Sequence, residues 1–172
     1  MPTSPLLSSI QVGKPASYES GAVNDPHEGP WTTGFFKTPI DAPVMAGTTG
    51  LDGDGQADLE HHGGVDTAVV AYSADHYREW RRELGLSGIG FGAFGENFTI
   101  AGLTEELVNI GDIFAIGEAR FEVSQPRQPC WKLARGWRMH ELPGLVIRSG
   151  RSGWYLRVLE PGLIEKRMEV TL

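Results

Sequence analysis

One cysteine, Cys130, stands in 172 residues. No intrachain disulfide can form, which excludes the disulfide-stapled secreted scaffolds and suits a reducing compartment. Long hydrophobic runs are missing as well. Nothing approaches the ~20 apolar residues that span a bilayer. The start, Met1-Pro2-Thr3-Ser4-Pro5, lacks the basic and apolar stretches of a signal peptide. The expectation is a soluble, cytoplasmic protein with no membrane partner. Zinc motifs are absent, since the chain has no Cys-x-x-Cys and no His-Glu-x-x-His. Basic residues are in deficit: 15 Lys and Arg against 22 Asp and Glu give a net charge of −7, which argues against a nucleic-acid partner.

What is present is ordinary globular material, 40% hydrophobic and 22% charged, with 23 glycines and 11 prolines. Many glycines between short apolar runs favour a turn-rich β architecture over a helical bundle. Strands are expected at Ser9–Val12, Trp31–Phe36, Thr67–Tyr72, Asn97–Ile100, Val108–Ile116 (turning at Gly111-Asp112), Arg120–Ser124, Trp154–Leu159 and Ile164–Val170. The segments 17–30 and 50–66 read as loops. Ser73 caps the clearest helix, to about Leu84, with Tyr77, Trp80 and Leu84 on one stripe. Asp75 opens it, Arg81 and Arg82 close it, and Gly85 follows, all as the helix dipole and C-cap favour. Short helices are expected from Trp131 and over 141–149. The sum is a mainly β fold, a closed or nearly closed β-barrel with a few short helices. No repeat or composition break divides it, so residues 1–172 read as one domain.

Two motif matches are decoys. Gly90-Phe91-Gly92-Ala93-Phe94-Gly95 fits a dinucleotide fingerprint, but a strand-like segment follows it where a helix is required. Asp52-Gly53-Asp54-Gly55 begins like a calcium loop, yet Ala57 and Gly63 stand where that loop needs glycine and glutamate. Its acids read as turn formers. His61 and His62 are adjacent, so on an extended chain they point to opposite faces and do not share one ion.

Charge is unevenly placed. Residues 123–159 carry +6 and the remainder −13, and the lone cysteine lies in the positive segment. Three blocks carry chemistry. The first is His61-His62-Gly63-Gly64-Val65-Asp66-Thr67-Ala68-Val69, a glycine turn entering a buried strand. The second is Phe94-Gly95-Glu96-Asn97-Phe98-Thr99. The third, Glu122 to Leu133, leaves a strand through Pro126 and Pro129 and presents Cys130 between Arg127 and Lys132. Prolines stiffen the presentation, and neighbouring cations favour the thiolate, the nucleophilic and metal-ligating form.

With Gly53-Asp54-Gly55-Gln56-Ala57-Asp58-Leu59 and Gly150-Arg151-Ser152-Gly153-Trp154-Tyr155, these blocks resemble the MOSC domain family. The resemblance runs over about 30–162 and is strongest to bacterial stand-alone members, reductases of N-hydroxylated compounds such as hydroxylaminopurine. It implies a β-barrel binding molybdenum through molybdopterin, with Cys130 as the protein ligand to the metal. Lys37-Thr38 resembles a Lys-Ser pair that grips the cofactor phosphate in related amidoxime-reducing enzymes, and Asn97 resembles a cofactor-pocket asparagine. Gly95 stands where that relative carries a phosphate-binding arginine, so Arg127 or Arg151 is expected to replace it. His61, Gly63, Gly64 and Lys132 complete the expected cofactor contacts. His62, Asp66 and Glu96 are candidates for positioning substrate or relaying protons beside Cys130.

A soft dithiolene-bound metal accepts a soft thiolate, and oxygen abstraction from N–OH then suits the cofactor. No flavin or haem motif is present, so electrons would come from a partner flavin or iron–sulfur reductase; pyridoxal phosphate is not expected. Alternatives are a non-redox carrier of sulfur or molybdenum cofactor on Cys130, a cysteine hydrolase pairing Cys130 with His61, His62 or His140, and a pure binding module.

Overall fold

The computed structural model describes residues 4–19 and 29–172. The N-terminal half supplies β1 (Leu6–Val12), β2 (Ala16–Tyr18), β3 (Trp31–Thr33), β4 (Thr38–Ile40), β5 (Val44–Gly47), β6 (Gly50–Leu51), β7 (Val69–Ser73) and α1 (Asp75–Leu84). The remainder supplies β8 (Phe98–Ala101), β9 (Ile113–Ile116), β10 (Ala119–Pro126), α2 (Trp131–Trp137), α3 (Leu142–Ser149), β11 (Trp154–Glu160) and β12 (Gly162–Ile164).

Seven strands form one sheet in the order β4-β1-β8-β7-β11-β10-β9, and β12-β5-β6 form a small second sheet. Register shifts in the β1–β8 and β10–β11 ladders mark bulges, which bend strands and increase their twist. The C-terminal segment then reaches across the gap: Glu169 bridges Leu6 of β1, and Thr171 bridges Ala115 of β9. The outcome is the expected mainly β, nearly closed barrel. Its interior is filled by the inward residues of alternating strands, such as Phe98, Phe114, Phe121, Leu156 and Val158.

Among the described residues all strand pairings but one are antiparallel; β7 and β8 run parallel and are joined through α1. The backbone N–H of Asp75 donates to Ser73 Oγ at 3.2 Å, so Ser73 supplies the expected cap although the helix begins one residue later. Tyr77 and Trp80 are buried, and Gly85 ends the helix at φ 65°. They join Tyr72, Phe94, Leu133, Leu142 and Val146 in a second apolar cluster, which clamps α2 and α3 to the barrel wall. Trp80 Nε1–H donates to the Tyr72 hydroxyl at 2.7 Å, and that hydroxyl donates to the Arg151 carbonyl at 2.9 Å.

The reading of 17–30 as a loop is corrected at its start. β2 pairs antiparallel with β3, placing Tyr18 opposite Trp31 with ring centroids 6.3 Å apart. A cross-strand aromatic pair stabilises a ribbon that polar composition hides. The rest of that segment, 20–28, lies outside the described residues. The Gly90–Gly95 match is confirmed as accidental, because turns and then β8 follow it.

Glu96 is fully buried and has no cationic partner among the described residues. Its carboxylate accepts from the Gly92 N–H (2.8 Å), the Phe94 N–H (3.1 Å), the Thr99 hydroxyl (2.9 Å) and the Tyr77 hydroxyl. Burial and this carboxylate together raise the Tyr77 phenol well above its ordinary pKa, so it stays a donor. Glu96→Ala would leave four buried donors unsatisfied. Denaturant unfolding should show a loss of about 3 kcal/mol or more. A loss below about 1 kcal/mol would mean the loop satisfies those donors another way.

Candidate functional site

β10 delivers the cysteine. It stays paired with β11 as far as Pro126 opposite Trp154, and the Arg127 N–H then donates to the Gly153 carbonyl at 3.0 Å. That approach requires glycine at 153, where φ is 77° and a Cβ would stand 2.4 Å from the Ala71 carbonyl oxygen. After Pro129 the chain remains extended at Cys130 (φ −111°, ψ 170°), which precedes α2, and its carbonyl accepts the Leu133 N–H at 3.1 Å. Cys130 is a free, half-buried thiol facing a cleft.

The cleft measures about 630 Å³, counting space open to solvent, and runs between the Cys130 segment and the loops at 33–37, 55–63 and 95–97. Phe35 makes much of one wall. A Cβ at Gly95 would stand 2.8 Å from its ring, and one at Gly136 would stand 2.6 Å away. Gly95 is therefore glycine because Phe35 fills the space beside it, and no side chain at 95 reaches a ligand.

Beneath the cleft lies a buried polar cluster. Lys37 Nζ is 2.5 Å from Asp54 Oδ1, with side chains 7% and 1% exposed. Asp54 also accepts from the Gly13 N–H at 2.9 Å and from Asn97 Nδ2 at 2.8 Å. Asn97 Nδ2 donates besides to the Gln11 carbonyl (3.2 Å), while Asn97 Oδ1 accepts the Val70 N–H (3.0 Å). Asp54, taken from sequence as a turn former, is instead the hub of this floor, a role without a sequence signature.

The other wall is cationic. Arg127 and Lys132 line it, and neither has an acidic partner among the described residues. Burial, and then the charges of Lys132 and Arg127, lower the His62 pKa from its ordinary value near 6.5, against an opposing pull from Asp58. Tyr155 stands beside Arg127 and Cys130; burial raises its phenol and Arg127 opposes that.

Of the residues expected at the site, Lys37, His62, Gly63, Asn97, Arg127, Cys130 and Lys132 share this cleft. The others lie outside its lining. Thr38 is on exposed β4. Gly64 starts the short 3-10 turn Val65–Thr67. His61 is exposed and held by Asp58 at 3.1 Å. Asp66 pairs with Arg157 at 2.8 Å. Glu96 is sealed in its own loop. Arg151 is held by Glu79 (2.7 Å) and Glu83 (2.9 Å) over the Trp80 ring. Phe35, Gln56, Gln128 and Tyr155 line the cleft without having been singled out; Gln56, Gln128 and Tyr155 lay in quoted blocks, and Phe35 only in an expected strand.

The lowered His62 value fixes a sign. Protonation favours the unfolded chain, so the His62 contribution to stability is complete above about pH 6.5 and is lost as pH falls below it. An NMR titration should place the His62 midpoint below 6.5. His62→Gln should lose less stability than the wild type between pH 7 and about pH 5. A midpoint above 6.5 would contradict a cationic wall.

The MOSC domain model matches residues 58–171. The uncharacterised protein YflK of Bacillus subtilis is 45% identical over 156 residues, covering 91% of this chain and 67% of its own length. A Gibberella moniliformis protein named "Reductase" is 39% identical over 144 residues, covering 82% of this chain but 26% of that protein. The crystal structure of YiiM from Geobacillus stearothermophilus superposes with a TM-score of 0.78 at 38% identity, over 98% of this chain and 74% of that one. The chain thus spans about two thirds of the bacterial relative YflK and about a quarter of the fungal one. With the family model covering most of the chain and the barrel shared with YiiM, the chain belongs to the MOSC domain family.

Proposed function

We propose that this cleft holds a molybdenum–molybdopterin cofactor, with Cys130 as the protein ligand to the metal, and that the protein reduces N-hydroxylated compounds. One observation carries the reading. Among the described residues no group of three or more His, Cys, Asp or Glu could hold a metal. The cleft instead offers one accessible thiol and two cations without acidic partners. Such a donor set suits a metal that arrives already chelated, in an anionic ligand, and needs one further soft donor. The fungal relative's name supports the redox class. No hydrogen bond joins Cys130 to His62, so nothing prepares this thiol as a hydrolase nucleophile with that base.

When bound, the cofactor supplies a two-electron centre for removing oxygen from an N–OH group. The chain's residues have separable tasks. Cys130 would offer its thiolate as the metal ligand from a segment stiffened by Pro126 and Pro129. Arg127 and Lys132 offset the negative charge of the phosphate-bearing pterin. Phe35 and Tyr155 wall the cleft against water. His62, neutral near pH 7, is placed to hold or pass a proton at a ring nitrogen. Converting N–OH to N–H and water consumes two protons and two electrons. The electrons are assigned to a separate flavin or iron–sulfur reductase. We assign the reaction to the cytoplasm, where a lone cysteine stays reduced; no described helix is long and apolar enough to cross a membrane.

The test is molybdenum analysis of protein made in a host that synthesises the cofactor, beside Cys130→Ala. Wild-type protein should carry close to one metal per chain and the variant little, with unchanged folding. Folded wild-type protein without molybdenum would overturn the cofactor reading. Metal-loaded protein inactive on N-hydroxylated amines and amidoximes with an artificial reductant would overturn the reaction alone.

A further inference from the structure

The floor of the cleft contains a lysine that is not free to act as a cation. Asp54 contacts Lys37 at 2.5 Å, and both side chains are almost wholly buried. At any point in the cleft the two opposite charges largely cancel, leaving only a short dipole. Asn97 is spent as well: both amide hydrogens are donated, to Asp54 and to the Gln11 carbonyl. A lysine that binds phosphate does so as a point charge, and here that charge is already neutralised. Across the cleft Arg127 and Lys132 have no such neutralising partner among the described residues. Their charges reach His62, where they add to burial in lowering its pKa.

We propose that Lys37 and Asp54 are a neutral strut that positions the cleft floor, and that the ligand's anionic group is gripped by Arg127 and Lys132 instead. The proposal rests on the cleft being a site for a phosphate-bearing cofactor, and it reverses the role that the family resemblance assigns to Lys37. Lys37 and Asp54 are positioning residues: the pair anchors the loop before β4 and ties Gly13, just after β1, to the cleft residue Asn97, just before β8.

Cofactor-free protein, made in a host unable to synthesise the cofactor, is titrated calorimetrically with inorganic pyrophosphate. Lys37→Met should weaken binding roughly tenfold or more, because the Asp54 carboxylate then faces the anion uncompensated. The double variant Lys37→Met/Asp54→Asn removes both charges; its amide oxygen can keep the Gly13 bond. It should bind within about threefold of the wild type, since coupled sites depart from additivity when they act as one unit. Arg127→Gln should weaken binding about tenfold or more.

A double variant as weak as Lys37→Met overturns the proposal, since removing Asp54 cannot restore a lost lysine–phosphate contact. Unchanged binding in Arg127→Gln overturns it too. Should Lys37→Met fail to fold, the double variant decides alone: retained affinity supports the strut, lost affinity overturns it. Wild-type protein that does not bind pyrophosphate removes the anion-site reading and the strut with it. Wild-type binding with a failed double variant removes the strut only.

Discussion

Beneath the cleft, the Asp54 carboxylate gathers chain segments far apart in sequence. It takes the Gly13 N–H at the end of β1, the Lys37 ammonium ahead of β4 and the Asn97 amide at the entrance to β8. Beside it, the Gly55 N–H donates to the Gly13 carbonyl at 3.1 Å. A buried ion pair is a poor source of net stability, because desolvation offsets its attraction; its strength lies in fixing one arrangement against others. That suits its place here. The barrel is already held by its apolar interior, whereas the cleft walls are loops without a ladder of their own. One charged hub, with both Asp54 oxygens accepting, sets where the loop at 33–37, the Gly-rich loop at 53–57 and the start of β8 lie relative to one another.

The wall above is fixed by shape instead. Phe35 is held where Gly95 and Gly136 leave room for its ring, and Gly34 passes so close to Gly55 that a Cβ there would stand 2.3 Å from the Gly55 carbonyl oxygen. Larger residues at these glycines would push the ring or the loop into the cleft. On the far side, prolines 126 and 129 and the β10–β11 ladder hold the approach to Cys130. Loop residues are thus pinned from a charged floor, a packed wall and a strand end, which is how a site on loops attains the precision usually found on regular elements.

This division explains what the sequence disclosed. Strand alternation, glycine density and the Tyr77–Trp80–Leu84 stripe are local, and they predicted the barrel and α1. The Cys130 segment was legible because its proline, arginine and lysine neighbours are adjacent in sequence. Asp54 was misread because its partners lie 41 and 43 residues away, at Gly13 and Asn97. Glu96 resembled a site residue because it sits on a glycine-rich turn, yet only the fold shows that its lone pairs are used by four neighbours. Arg151 fell in a family-like block, but α1 brings Glu79 and Glu83 to it from outside the cleft. In each case the deciding contact is tertiary, between residues that no helical or strand period relates.

Internal pairing also separates the charge of the cleft from that of the chain. The chain carries −7 overall, and five acids, Asp54, Asp58, Asp66, Glu96 and Glu122, sit in the blocks that build the cleft. Most of them are engaged away from it: Asp54 pairs with Lys37, Asp66 and Glu122 pair with Arg157, and Glu96 accepts from backbone and hydroxyl donors, while Asp58, held to His61 on the surface, still pulls on His62. Among the described residues Arg127 and Lys132 have no acidic partner. A cavity's charge is set by what remains after internal pairing, not by composition, and partial burial strengthens that remainder because water screens it less. An acidic protein can therefore keep a cleft that attracts anions, while its net charge still repels polyanions such as nucleic acid from the surface at large.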